Sequence, residues 1–158
     1  MIKIAESTLL KTHIYRVCER RLEALIADFK DRIQSLQQTQ GLGNDETYGD
    51  QTLAVTAQQM SEVEALSQSL DFVSEEMRQL EWVKAASAIV HHVAEPGAVV
   101  VTNAGSFFIA IGVGPFEVQG ETYVGLSPKR ALFTAMQGKK AGDVVHYHGA
   151  PYTINNVF

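Results

Sequence analysis

Hydrophobic positions in the first half of the chain recur with a helical period. From Ser7 to about Gln38, the apolar residues Tyr15, Cys18, Leu22, Leu25, Phe29, Ile33 and Leu36 fall three or four positions apart. That spacing draws a narrow seam along one α-helix, of the kind seen in coiled coils. Ser7 stands where an N-cap is expected, and the helix would extend roughly 45 Å at ~1.5 Å per residue. The seam is lost from Gln37 to Gln40, and Gly41 and Gly43 end the pattern. A matching seam, Leu53, Met60, Val63, Leu66, Leu70, Val73, Met77 and Leu80, follows a second start near Asp50. Neither helix carries enough apolar surface to fold alone. The spacing therefore predicts an antiparallel helical hairpin over residues 1–83, and the intervening glycines favour it over a parallel dimer of chains.

The pattern changes after Pro96-Gly97. Short β-rich runs separated by turn residues replace the helical period. Ala98–Thr102 and Ser106–Ile111 read as strands around Asn103-Ala104-Gly105, and Phe116–Val118 and Thr122–Val124 flank Gln119-Gly120. Ser127 with Pro128 then reads as a helix cap and first helical residue, with the helix running to about Gln137 and stopping at Gly138. Val144–Tyr147 and Tyr152–Val157 read as the last strands. Residues 84–158 are thus expected to form a small antiparallel sheet crossed by one helix, and the whole chain an α+β protein. Val83–Val90 fits either an extension of the second helix or a strand.

Charge adds direction to this plan. The chain has 158 residues and a formal charge of −5, which argues against a general affinity for nucleic acid. Six of its thirteen basic residues lie from Lys11 to Arg32, and none lies between Ile33 and Met77. The segment between the helices, Gly41 to Asp50, carries Asp45, Glu46 and Asp50. A hairpin would therefore have an acidic tip, near residues 41–53. Arg16, Arg20 and Arg21 on the first helix suit a solvated surface, or contact with phosphates.

Other chemistry is sparse. Cys18 is the one cysteine and falls on the apolar seam, as a small core residue would. His91-His92 is a pair by residue type, but adjacent positions point apart and no third ligand is evident, so a surface pair is expected. His146 and His148 alternate along a strand and, without a nearby carboxylate, read as solvent-facing. No apolar run reaches the ~20 residues that span a bilayer. The N-terminus has no secretory pattern, so a cytoplasmic protein without a membrane partner is expected.

A resemblance enters at the C-terminal half. Gly125-Leu126-Ser127-Pro128, a predicted helix, then Gly138-Lys139-Lys140-Ala141-Gly142-Asp143-Val144-Val145, closing on Tyr152-Thr153-Ile154, resembles the C-terminal signature of the bacterial Gre transcript-cleavage factors. The likeness covers roughly residues 97–157, and the order of hairpin then sheet domain is similar too. It implies an FKBP-like C-terminal fold that docks on RNA polymerase near the secondary channel, with the hairpin entering that channel. Ser127, Pro128, Lys129, Arg130, Lys139 and Lys140 are the docking candidates. The chain would not be an enzyme alone. Its tip carboxylates, Asp50 with Asp45 and Glu46, would help the polymerase hold a second magnesium and orient water on the extruded RNA 3′ end. Hard magnesium prefers such oxygen donors, and a two-metal site stabilises both attacking and leaving oxygens. No cofactor is expected to bind stably, and a monomer is expected.

The family's tip has Gly-Asp followed three residues later by Glu. Gly49-Asp50 matches, and Leu53 stands at the Glu position. Two further readings therefore stay open: a Gre-like polymerase regulator or inhibitor that does not stimulate cleavage, and a coiled-coil adaptor with no polymerase link. Taken alone, Asp50 reads equally as a helix cap, and Asp45 and Glu46 as ordinary turn residues.

Overall fold

The structure, a computed structural model, describes residues 4–42 and 50–158, with side chains over 5–38 and 57–158. Two long helices, α1 (Ile4–Leu42) and α2 (Asp50–Trp82), precede a short helix α3 (Lys84–Ser87). Six strands follow: β1 (Val99–Thr102), β2 (Gly105–Ile109), β3 (Gly114–Val118), β4 (Glu121–Leu126), β5 (Val144–Tyr147) and β6 (Ala150–Val157). A helix, α4 (Ala131–Met136), lies between β4 and β5 in the chain. The protein is α+β.

Both long helices outrun their apolar seams. α1 begins before Ser7, which is buried inside the helix and does not cap it. Glu6 lies in its first turn, where the helix dipole favours a carboxylate. At the other end Gln37 to Gln40 lose the stripe but remain good helix formers, so the helix continues to Leu42. Along α1 the seam is buried at Tyr15, Cys18 and Leu22, and only half-buried at Phe29, Ile33 and Leu36. On α2 it is buried at Val73 and Leu80 and half-buried at Val63, Leu66, Leu70 and Met77, whereas Met60 is exposed.

The chain divides into two compact units that do not follow its order. Met1–Arg20 joins Arg78–Phe158, and Arg21–Met77 forms the other. In the Arg21–Met77 unit, Asp31, Arg32, Ser35 and Leu36 of α1 line a groove of about 620 Å³ together with Glu62, Ala65 and Leu66 of α2.

In the larger unit the strands run in the order β3-β4-β2-β1-β6-β5. The sheet is mixed, which corrects the expectation of an antiparallel one: β2 and β4 pair in parallel, Ser106 opposite Tyr123 and Ile109 opposite Leu126. A parallel pair needs an intervening crossover, and the β3 hairpin supplies it. β3 and β4 are joined at Gln119-Gly120, both with positive φ (54° and 80°), which gives the tight turn whose twist matches a hairpin. β5 and β6 repeat the device at His148-Gly149.

One face of the sheet packs against α4. Val100, Phe107, Ile109, Val145 and Ile154 meet Phe133 and Met136 there in one apolar cluster. Residues of the other face are equally buried. Val99 and Phe108, register partners on β1 and β2, are both 0% exposed, and the same unit fully buries Ile14, Leu80 and Val83 of the helical segments. Burial on both faces explains why Val99-Val100 reads as a continuous apolar run and not as an alternation.

The segment that fits either helix or strand is not a strand. Helical bonding carries past the end of α2 through Val83, whose N–H donates to the Gln79 carbonyl (3.2 Å) and whose carbonyl accepts from Ser87 N–H (2.8 Å); after α3 the chain runs without regular structure to β1. Its close packing is visible at Gly97. A Cβ there would lie 2.8 Å from the backbone carbon of Ala86, and φ is +93°.

Candidate functional site

The two ends of α4 carry the docking candidates. At its start, the Ser127 hydroxyl accepts from the Lys129 backbone N–H (3.2 Å), and the Arg130 N–H donates to the Ser127 carbonyl (3.0 Å). Ser127-Pro128 therefore builds a turn ahead of the helix. Arg130, in an extended conformation, stands at the helix start itself. This corrects the reading of Ser127 as the helix cap: proline at the second position of a turn fixes φ for the turn as readily as for a helix. At the far end, the Lys140 N–H donates to the Asp143 carboxylate (2.9 Å) and the Asp143 N–H returns a bond to the Lys140 carbonyl (3.0 Å).

Lys129, Arg130, Lys139 and Lys140 are all exposed. None forms an ion pair among the described residues. A six-residue helix spans only about 9 Å, so the two basic turns lie close together. Arg130 also lines a hollow of about 320 Å³, with Phe107, Val124, Leu126 and Leu132 among its apolar lining and Tyr147 as a second polar group. The sequence reading did not find this hollow. Its lining comes from β2, the start of β3 and the loop before it, β4, α4 and β5, which only the strand order brings together.

A second basic feature lies on the first part of α1. His13, Arg16 and Arg20 follow one another at helical spacing and line a hollow of about 480 Å³ with Glu117, Val118 and Gln119 of the β3–β4 hairpin. Arg16 and Arg20 are exposed and make no ion pair among the described residues. Arg21 is exposed as well.

The tip carboxylates are placed only in part. Asp50 is the first residue of α2, and its side chain lies outside the described residues. Asp45 and Glu46 lie outside them altogether.

Two buried polar residues, Lys11 and His91, were missed by the sequence reading or misjudged, and a third, Tyr15, is buried as its place on the seam predicts. Lys11 is 0% exposed, and its Nζ donates to the Ile89 carbonyl at 2.6 Å. Desolvation pushes its pKa down from 10.5 to about 8, against the pull of Glu95. Tyr15 is buried with no hydrogen-bond partner for its hydroxyl among the described residues, and the Lys84 ammonium sits 5.8 Å from its ring centre. Burial first, then Glu19, Glu81 and Cys18, push its pKa up to about 12. His91 is buried rather than on the surface: its Nδ1 lies 2.5 Å from Glu95 Oε1 and its Nε2 lies 2.6 Å from the Ala86 carbonyl oxygen. Only His92 of the pair is exposed. A signal for Lys11 was available, since it stands four residues before Tyr15 on the same stripe.

Cys18 is buried, as expected of a seam residue. His146 is exposed on β5, whereas His148 belongs to the following turn and sets its ring edge-on to Tyr147 (4.1 Å between centres). Among the described residues no three His, Cys, Asp or Glu side chains gather as a metal site. No described helix is long and apolar enough to cross a membrane. No family model, curated protein or solved structure matches this chain.

Proposed function

We propose that the chain is a Gre-like transcription elongation factor. It docks on RNA polymerase at the secondary channel and stimulates cleavage of backtracked RNA through tip carboxylates. The observation that carries the reading is the run Gly125 to Val145. Its Ser-Pro and Gly-Asp pieces form the two turns at either end of α4, and those turns present four unpaired cations, of which Arg130 lines an apolar hollow. An apolar hollow with a cation at its edge and further cations on the flanking turns suits an acidic protein surface, since charge steers encounter and burial of apolar area supplies affinity.

The helical half supports the rest. In the groove of the Arg21–Met77 unit, residues 31–36 of α1 meet residues 62–66 of α2. Such pairing is what an antiparallel hairpin with its tip at residues 41–53 requires. The tip delivers Asp50, and with it Asp45 and Glu46, as oxygen donors to a magnesium held jointly with the polymerase. The polymerase supplies the remaining ligands and the bond-breaking chemistry; the chain supplies reach and negative charge. The C-terminal half in this reading is FKBP-like.

A second reading rests on Leu53. Its side chain offers no oxygen where the Gre tip has a Glu, so a factor that occupies the channel without promoting cleavage is the competing form. Stalled polymerase complexes separate the two: added protein shortens the RNA from its 3′ end if the first reading holds, and binds without shortening it if the second does. Failure to retain polymerase at all at low salt would leave the coiled-coil adaptor.

A further inference from the structure

The connector between the helices and the sheet, residues 84–97, is anchored by backbone hydrogen bonds at its ends. Ser87 N–H donates to Val83 O (2.8 Å), Ala94 N–H to Lys139 O (2.8 Å), and Gly97 N–H to Ile109 O (2.7 Å). Its middle is held differently. Val90 and His91 make no backbone–backbone hydrogen bond among the described residues, and bridging to the neighbouring turn begins around Val93, opposite Lys140. Side chains hold this stretch instead: Lys11 on the Ile89 carbonyl, and His91 on Glu95 and Ala86.

The partners of His91 are informative. A backbone carbonyl only accepts, and Glu95, with its side chain 47% exposed, accepts as a carboxylate. A neutral imidazole has one N–H and one lone pair. It would satisfy one of these contacts and turn a lone pair towards the other. Both contacts are made together by the ring that carries two protons.

We propose that His91, Glu95 and the Ala86 carbonyl form a proton-dependent latch, which holds residues 88–93 closed while both ring nitrogens are protonated and releases them when one proton leaves. The latch opens as pH rises, because deprotonation removes one of two donors from a ring that is 5% exposed. The charged group facing it from α1 is Lys11, which interacts with the same Glu95. The turn bonded to Val93 and Ala94 brings Lys139 and Lys140, both exposed. On the connector itself Lys84 is engaged over Tyr15, and β2, bonded at Gly97, carries no charge. Lys11 is not the moving part. A neutral amine still donates to the Ile89 carbonyl, so its bond survives deprotonation.

The test combines ring-nitrogen NMR with amide hydrogen exchange on the full chain across a pH series. Ring nitrogens of His91 are expected to show both N–H groups while residues 88–93 are closed. When His91 then loses a proton, the Ala88 and Ile89 amides, which donate to the Ala85 and Ala86 carbonyls (3.2 and 3.4 Å), should lose protection at least about tenfold relative to the Phe108 amide in the sheet, the scale of a lost charge-assisted hydrogen bond. Glu95→Gln should move that step to lower pH, and His91→Gln should abolish it while leaving Phe108 protected. A ring with one N–H throughout the range in which the Ala88 and Ile89 amides are protected would overturn the proposal. So would unchanged protection of those amides through the His91 step.

Discussion

Replacing Lys11 by Met should remove a pH dependence of stability that the wild-type chain carries. In the folded chain the ammonium is buried, and its pKa falls from 10.5 to about 8. Between those values the unfolded chain holds a proton that the folded chain has released, so raising pH favours folding. Below about pH 8 both states are charged and the whole burial cost is present; above 10.5 both are neutral and it is gone. A span of about 2.5 on the pH scale, at 1.36 kcal/mol each, is about 3 kcal/mol. Met keeps the length of the buried stem and has no proton to lose. Urea titrations followed by helical circular dichroism, at steps from pH 7 to 11, measure the effect. The stability difference between wild type and Lys11→Met should be flat below pH 8 and then move towards wild type by about 3 kcal/mol. Parallel pH profiles for the two proteins would refute the buried-charge account.

Four further outcomes follow from the same contacts. Tyr15→Phe removes a buried hydroxyl without a partner, so stability at neutral pH should hold or rise by up to about 1 kcal/mol, read by the same titrations. Because burial raises the Tyr15 pKa from 10.0 to about 12, wild type should lose stability across that window and Tyr15→Phe should lose less. Gly97→Ala places a methyl 2.8 Å from the Ala86 backbone at a φ of +93°; a cost of about 2 kcal/mol or more is expected, visible as a lowered thermal midpoint. Charge reversal at Lys129 and Arg130 should leave the thermal midpoint within a few degrees and weaken retention of RNA polymerase on a column, most strongly at low salt.

The parts of the fold legible in the sequence were those set by local pattern. The seams of α1 and α2 announced two long helices, and Gln119-Gly120 marked a hairpin because a positive φ at two successive residues is a local requirement. The parallel pairing of β2 with β4 was not legible, since strand order is a non-local choice that Phe107 and Val124 do not encode by themselves. Ser7 misled because a serine before an apolar run looks like a cap even when the helix starts a turn earlier. Lys11 and His91 were hidden for a shared reason. Their residue types are those of a surface, and what buries them is a carbonyl or carboxylate acceptor 78 or 4 residues away. At the candidate site, the turns around α4 were foreseen as pieces; the hollow beside them required the sheet. The role proposed for Asp50 rests on the resemblance and not on any local pattern, because a helix-opening aspartate is common.

The central claim is that tip carboxylates help the polymerase hold a magnesium. The most direct test is the rate of RNA 3′-end cleavage in stalled complexes as magnesium is raised, with wild-type factor, with Asp50→Ala, and with Asp45, Glu46 and Asp50 all replaced by Ala. The account predicts that wild-type factor promotes cleavage at magnesium concentrations too low for polymerase alone. Asp50→Ala should need more of the ion, and the triple variant should still bind the polymerase but leave the RNA uncut. Equal magnesium dependence with all three factors, at saturating binding, would contradict it.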